Sequence, residues 1–218
     1  MGRSQLQVQQ AREMLITVAR KMIDSTDLLT QADKAIGDGD HGIGMARGFE
    51  AVLTKLEGQQ FSSIGQLFKT VGMALMTSIG GASGAIFGTL FREMGKNQND
   101  TEIIDAHRFS QMLFDGLQAV KKRGKSHAGD KTMIDALEPA ALASKHHLSS
   151  PLDQALTAIA EAARLGMEQT KEMVATVGKA KTLGQRAVGH PDPGAISLSL
   201  ILTCMAEYAA TDEKEPSG

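Results

Sequence analysis

The chain has 218 residues, 42% of them hydrophobic, which is enough apolar material for one large domain. Lys and Arg number 23 against 25 Asp and Glu, so the formal net charge of -2 excludes the general attraction of a nucleic-acid or anionic-membrane binder. A single cysteine, Cys204, excludes an internal disulfide framework and a thiolate zinc site, and its apolar surroundings over 198–205 mark it as a core thiol.

The polar first residues, Met-Gly-Arg-Ser-Gln-Leu-Gln, lack a signal core, and no stretch approaches the roughly 18–20 uninterrupted apolar residues of a membrane span. A cytoplasmic location is expected, with no membrane and no nucleic-acid partner. Over 6–24, Leu6, Ala11, Met14, Leu15, Val18, Ala19, Met22 and Ile23 recur at three- and four-residue spacing and form one apolar stripe on a long helix. Similar periodicity predicts helices over 42–56, 62–79, 83–94, 105–122, 130–145, 152–174 and 193–210. Aromatics make up only 4% of the chain and β-branched residues rarely alternate with polar ones, so no strand is expected. The twelve methionines fall at helical spacing and read as core filling.

Eight amphipathic helices joined by short connections form an all-α, antiparallel up-and-down barrel or bundle, with alternate loops gathered at the same end. A single domain over 1–210 is expected, followed by a frayed polar tail over 211–218. The odd-numbered loops, 31–42, 80–84, 123–129 and 178–192, are the glycine-rich ones. The even-numbered loops, 57–61, 95–101 and 146–151, are ordinary polar turns, and the adjacent His146 and His147 read as surface residues. One rim therefore carries the chemistry.

The first of these loops places Asp33, Asp38, Asp40 and His41 within nine residues, separated by glycines. Three short carboxylates in one turn accumulate negative charge that a hard divalent cation offsets. Gly80-Gly81-Ala82-Ser83-Gly84 opens a helix, where freed backbone N–H groups and the Ser83 hydroxyl suit phosphate oxygens. A tight helix–helix turn capped by Ser83 explains this segment equally well in isolation; its place beside the aspartates favours phosphate. Asp192-Pro193 reads as an N-cap followed by a first-turn proline. Arg186 serves either as a counter-ion to the aspartates or as a ligand of a phosphoryl group.

Three literal motif matches fail on context. Gly37 to Gly42 fits the G-x-G-x-x-G string but follows no strand and fills its variable positions with acids. Counted from Asp38 as an EF-hand, the loop puts Gly42 and Phe49 where oxygen ligands are required. Gly124-Lys125-Ser126 resembles a P-loop ending, yet Ala119 replaces the leading glycine and a helix leads in.

Taken together, Ile36-Gly-Asp-Gly-Asp-His-Gly42 with Arg47-Gly-Phe49, Ser78-Ile-Gly-Gly-Ala-Ser-Gly84, Gly129-Asp-Lys-Thr132 and Gly189-His-Pro-Asp-Pro-Gly194 resemble, in order, the DhaL family of nucleotide-binding subunits of dihydroxyacetone kinase. The resemblance runs from about Asp33 to Gly194. It implies an eight-helix barrel with ADP or ATP and two Mg2+ ions at one rim, held by Asp33, Asp38 and Asp40. It also implies nucleotide contacts from His41, Gly42, Ile43, Gly44, Ala82, Ser83, Gly124, Met133, Arg186, Asp192, Pro193 and Gly194, with Asp38 and Arg186 closest to the phosphoryl transfer. The chain departs from the family at Gly44, where some relatives carry a polar side chain, and at Gly39, which replaces an alanine.

By the same resemblance the acceptor is a short ketose held on a separate K-type subunit, and a phosphohistidine M-type subunit of the phosphotransferase system recharges the nucleotide. ATP-dependent transfer to another ketose such as erythrulose, or a nucleotide-sensing role without turnover, are the alternatives. A homodimer is compatible with the sequence.

Overall fold

Six of the eight stripe residues read along the first segment are buried in helix α1, Val8–Asp24: Ala11, Met14, Leu15, Val18, Ala19 and Met22, while Ile23 is half-buried and Leu6 precedes the helix. The computed structural model describes residues 2–211, so the tail expected over 211–218 lies, apart from Thr211, outside the described residues. Eight further α-helices follow: α2 (Thr26–Ile36), α3 (His41–Leu56), α4 (Ile64–Ser78), α5 (Gly81–Met94), α6 (Ala106–Gly124), α7 (Ile134–Ser144), α8 (Leu152–Gln169) and α9 (Pro193–Ala210). Helix α1 starts on a capping box between Gln7 and Gln10, and three others start on a Ser or Asp cap. Ser63 accepts from Gln66 N at 3.2 Å, Asp105 from Arg108 N at 2.8 Å and Asp192 from Ala195 N at 2.8 Å, each satisfying a donor that the first turn leaves free.

Around the molecule α1 packs on α3, each helix from α3 to α8 packs on its successor, and α9 returns to α1, closing the eight-helix barrel. Helix α2 is additional to that ring. It occupies much of the expected loop 31–42, because Leu29, Asp33 and Ile36 are buried at helical spacing and Ser25 alone separates it from α1. Two other segments differ from their expected bounds by more than two residues. Helix α7 begins at Ile134 rather than 130, since the Asp135 carboxylate accepts from Gly129 N at 2.5 Å and Thr132 N at 2.7 Å and ties 129–132 into a turn. Helix α8 ends at Gln169 and gives way to a 3-10 turn, Thr170–Glu172. The polar turn after α7 contains another, Lys145–His147, and the last long connection holds a 3-10 segment over Lys179–Ala187.

Periodicity also missed a two-residue antiparallel ladder, β1 (Leu6–Gln7) with β2 (Ile103–Ile104), in register Leu6 to Ile104. Such a pair is too short to leave a pattern. Helix α9, with 18 residues and a mean hydropathy of 1.3, is long and apolar enough by length and composition to cross a membrane, although Ser197, Ser199, Thr203 and Glu207 interrupt its apolar run. Its composition answers to packing, for α9 lies against α1, α7 and α8 and buries Leu198, Ile201, Leu202 and Met205. Cys204 is buried in the same helix, where burial pushes its thiol up to about 11.

Five phenylalanines, Phe49, Phe68, Phe87, Phe91 and Phe109, are the largest fully buried apolar side chains, and Phe68 stacks on Phe91 with ring centroids 6.1 Å apart. Helices α4 and α5 approach through glycine: a Cβ on Gly72 would lie 2.8 Å from Gly88 O, and one on Gly88 would lie 2.9 Å from Gly72 O and 2.8 Å from Met76 Cα. Backbone cannot yield as a side-chain tip can. Gly88→Ala is therefore expected to lower the urea unfolding midpoint, with overpacking of about 1–3 kcal/mol outweighing the helix-propensity gain of about 0.5–1 kcal/mol.

Candidate metal and nucleotide site

The starts of α3, α5, α7 and α9 meet at one end of the barrel. His41 opens α3; its Nδ1 lies 3.1 Å from Ser83 Oγ in the first turn of α5, and its Nε2 lies 2.8 Å from Ser197 Oγ in α9. Met133, the N-cap of α7, meets α9 where a Cβ on Gly194 would sit 3.4 Å from Met133 Cβ. Gly124, the last residue of α6, meets α5, its would-be Cβ 3.4 Å from Ile86 Cδ1. The four glycine-rich loops thus share one rim, as loop counting predicted. Four helix N-termini directed there give it free N–H donors and positive dipole ends.

Asp33, Asp38 and Asp40 come together at this rim, each offering a carboxylate oxygen within 4.8 Å of the others. Asp33, near the end of α2, is buried; its Oδ2 accepts from His41 N at 3.1 Å, which fixes the turn between α2 and α3. Asp38 and Asp40 are exposed in that turn. Gly39 between them takes φ +79, a backbone state that L side chains rarely adopt, which accounts for glycine there.

One cation already sits on the trio. Lys179, from the 3-10 segment, donates from Nζ to Asp38 Oδ2 and, at 3.3 Å, to Asp40 Oδ2. Hydrogen bonding to Lys179 holds Asp38 below the usual carboxylate range, and the bond to Asp38 raises the Lys179 ammonium above its ordinary value. An all-oxygen donor set that attracts an ammonium has the chemistry for a hard divalent ion. Arg186, which was read as facing the aspartates, is exposed farther along the same segment and makes no hydrogen bond or ion pair among the described residues. Lys179, not Arg186, is the counter-ion here.

His41 is buried, and burial lowers its pKa against the opposing charges of Asp33 and Asp40, leaving a neutral ring held by two hydroxyls. Gly42 packs against Thr26 O and Thr30, so close that no side chain fits, and Gly44 approaches Ile79 O, where a Cβ would be 3.2 Å away. Ile43 points outward and is 58% exposed. Ala82 is exposed beside Ser83 in the first turn of α5, which Gly80 caps and Gly81 opens, both at positive φ. Arg47 anchors this turn from α3, donating from Nε to Ser78 O at 2.6 Å and from Nη2 to Ile79 O at 2.5 Å.

On the far side of the rim Asp192 caps α9, with Pro193 and Gly194 in its first turn. The Lys131 side chain is 2% exposed and donates to Thr170 O and, at 2.5 Å, to His190 O, pinning the approach to Asp192. Burial lowers the Lys131 pKa, and the charges of Asp192 and Asp135 oppose that shift. Asp192 itself is pushed up to about 7 by burial, with the Ala195 amide pulling it down, Asp135 raising it and Lys131 lowering it. Lys179, Lys131, Thr170 and Ser197 were not singled out from sequence. Only Lys131 lay inside a recognisable string, and nothing local distinguishes a buried lysine from a surface one.

The DAK2 domain family model matches residues 35–207. The chain belongs to the DAK2 domain family. Within it the chain is 42% identical over 184 residues to the ADP-binding subunit DhaL of PEP-dependent dihydroxyacetone kinase 1 from Listeria innocua, covering 84% of this chain and 88% of that protein. It is 38% identical to the DhaL subunit of the PEP-dependent dihydroxyacetone kinase of Escherichia coli, covering 83% and 87%. The DAK2-type barrel also resembles the crystal structure of the dihydroxyacetone kinase from C. freundii in complex with AMP-PNP and Mg2+, with a TM-score of 0.68 and 28% identity over 90% of this chain. The chain spans only 33% of that larger kinase.

The raised pKa of Asp192 sets a pH dependence. Its folded value near 7 exceeds the ordinary 3.8, so the folded state holds this proton more tightly and stability falls as pH rises from about 4 to about 7. Asp192→Asn keeps a good cap and removes the titration. Chemical unfolding at a series of pH values should show the variant gaining on the parent across that window, by on the order of 1.4 kcal/mol per pH unit while Asp192 titrates.

Proposed function

We propose that the chain is the nucleotide-binding phosphotransferase subunit of a dihydroxyacetone kinase. The observation that carries this reading is the Asp33–Asp38–Asp40 cluster, its oxygens within 4.8 Å of one another beside the start of α3. Anionic metal ligands and anion-attracting helix ends at one rim are the two halves of a metal–phosphate site. Relatives described as ADP-binding subunits of dihydroxyacetone kinase, at 42% and 38% identity, support the same substrate class. Erythrulose kinases are matched at 33% and 30%, so dihydroxyacetone is the preferred acceptor.

In this reading Asp33, Asp38 and Asp40 hold two Mg2+ ions, which would offset the charge of the nucleotide phosphates. The turn from His41 to Gly44, with Ala82 and Ser83, receives the phosphates on backbone N–H groups. Gly42 and Gly44 keep that turn close to its neighbours, and Gly124 and Met133 would lie near the adenine. Arg186 supplies a guanidinium for the transferring phosphoryl, and Asp192 to Gly194 complete the rim. The chain positions charge and does little covalent work, as phosphoryl transfer requires.

The acceptor ketose belongs on a separate K-type subunit, and an M-type phosphotransferase subunit recharges ADP in place. Relatives named as PEP-dependent and PTS-dependent support this route over free exchange of ATP. A cytoplasmic location accords with it.

The chain, mixed with a K-type subunit and ATP or with K- and M-type subunits and a phosphoenolpyruvate-fed phosphotransferase system, should phosphorylate dihydroxyacetone. Asp38→Ala should reduce this by on the order of 10²-fold or more and abolish Mg2+-dependent ADP binding measured by calorimetry. Tight ADP binding without transfer to any K-type subunit would instead establish a nucleotide-sensing role.

A further inference from the structure

We propose that Lys179 is a tethered counter-cation for the acidic cluster, a latch that a divalent ion must displace, so that metal entry and release of the near part of its strap, from Gly178 to Gly184, are one event. The inference rests on reading Asp33, Asp38 and Asp40 as metal ligands. Lys179 Nζ is bonded to one oxygen of Asp38 and one of Asp40. An ion bridging those groups binds carboxylate oxygen at about 2.0–2.1 Å. It would need the space the ammonium fills, and two cations so placed repel.

The segment bearing Lys179 is built to lift. It is bounded by Gly178 and Gly189 and kinked at Gly184, all three in left-handed conformation with open space where a side chain would stand. Its far end is fastened independently: Ala187 is fully buried, and Gly189 N donates to Lys171 O at 2.7 Å. Displacing Lys179 therefore frees the near part of the strap without detaching the far part. Arg186 adjoins the buried Ala187 and so stays with the fastened part of the strap.

Exposed ion pairs are weak, which keeps the latch reversible. Removing one that competes with a metal should tighten metal binding about two- to fivefold. The test is calorimetric titration of the full chain with Mg2+ alone, together with backbone hydrogen exchange over 178–189, for the parent, Lys179→Gln and Lys181→Gln. Lys181 is exposed on the same strap and makes no ion pair to the cluster among the described residues, so it controls for the lost charge. Lys179→Gln should bind Mg2+ tighter than Lys181→Gln and exchange rapidly with or without metal, whereas Mg2+ should accelerate exchange near Lys179 in the parent. Equal Mg2+ affinities for the two variants, or a parent strap whose exchange Mg2+ leaves unchanged or slows, would overturn the latch while leaving the metal site intact. Absence of Mg2+ binding to all three would overturn the metal reading and the latch together.

Discussion

Three carboxylates held within a few ångströms repel one another, and the rest of the rim is organised around that repulsion. Asp33 is buried near the end of α2 and receives the His41 amide. Asp38 and Asp40 remain in solvent, where charge costs least, and share the Lys179 ammonium. The nearby helix starts add positive dipole ends. A site that draws in cations through its acids and anions through its helix ends has an affinity for a salt of the two, which is what a metal–nucleotide complex is.

The barrel supplies the convergence. Because the ring closes from α9 back to α1, alternate connections emerge at one end, and segments far apart in sequence meet there. Glycine sets how near they come where Gly42 packs on Thr26 and Thr30 of α2 with no room for a side chain, while Gly194 lies at ordinary contact distance from Met133. Polar pins then fix the arrangement, with Arg47 on the carbonyls of Ser78 and Ile79 and Lys131 on those of Thr170 and His190. These lysine and arginine contacts spend cationic donors on main-chain acceptors, tying loops that lack regular hydrogen bonding.

Much of this was legible in the sequence because periodicity and punctuation are local. The stripe of α1, the cap at Asp192 and the glycine-rich character of alternate loops are visible within a dozen residues, and the shared end follows from counting antiparallel helices. Helix α2 escaped because its three buried positions include Asp33, and an acid in a core position reads as loop. The partner of Asp38 escaped for a different reason. Lys179 lies in a segment rich in cations, where Lys181 and Arg186 are equal candidates on composition, and only the fold brings one of the three onto the carboxylates. Likewise the serines on either side of His41, at 83 and 197, share no spacing with it.

That hydroxyl–imidazole–hydroxyl bridge has a further consequence. With both ring nitrogens engaged, His41 has neither a lone pair nor a proton to spare for chemistry unless a serine lets go. The ring acts as a keystone: it joins the opening turns of α3, α5 and α9 into a tripod, so a push on any leg is borne by the other two.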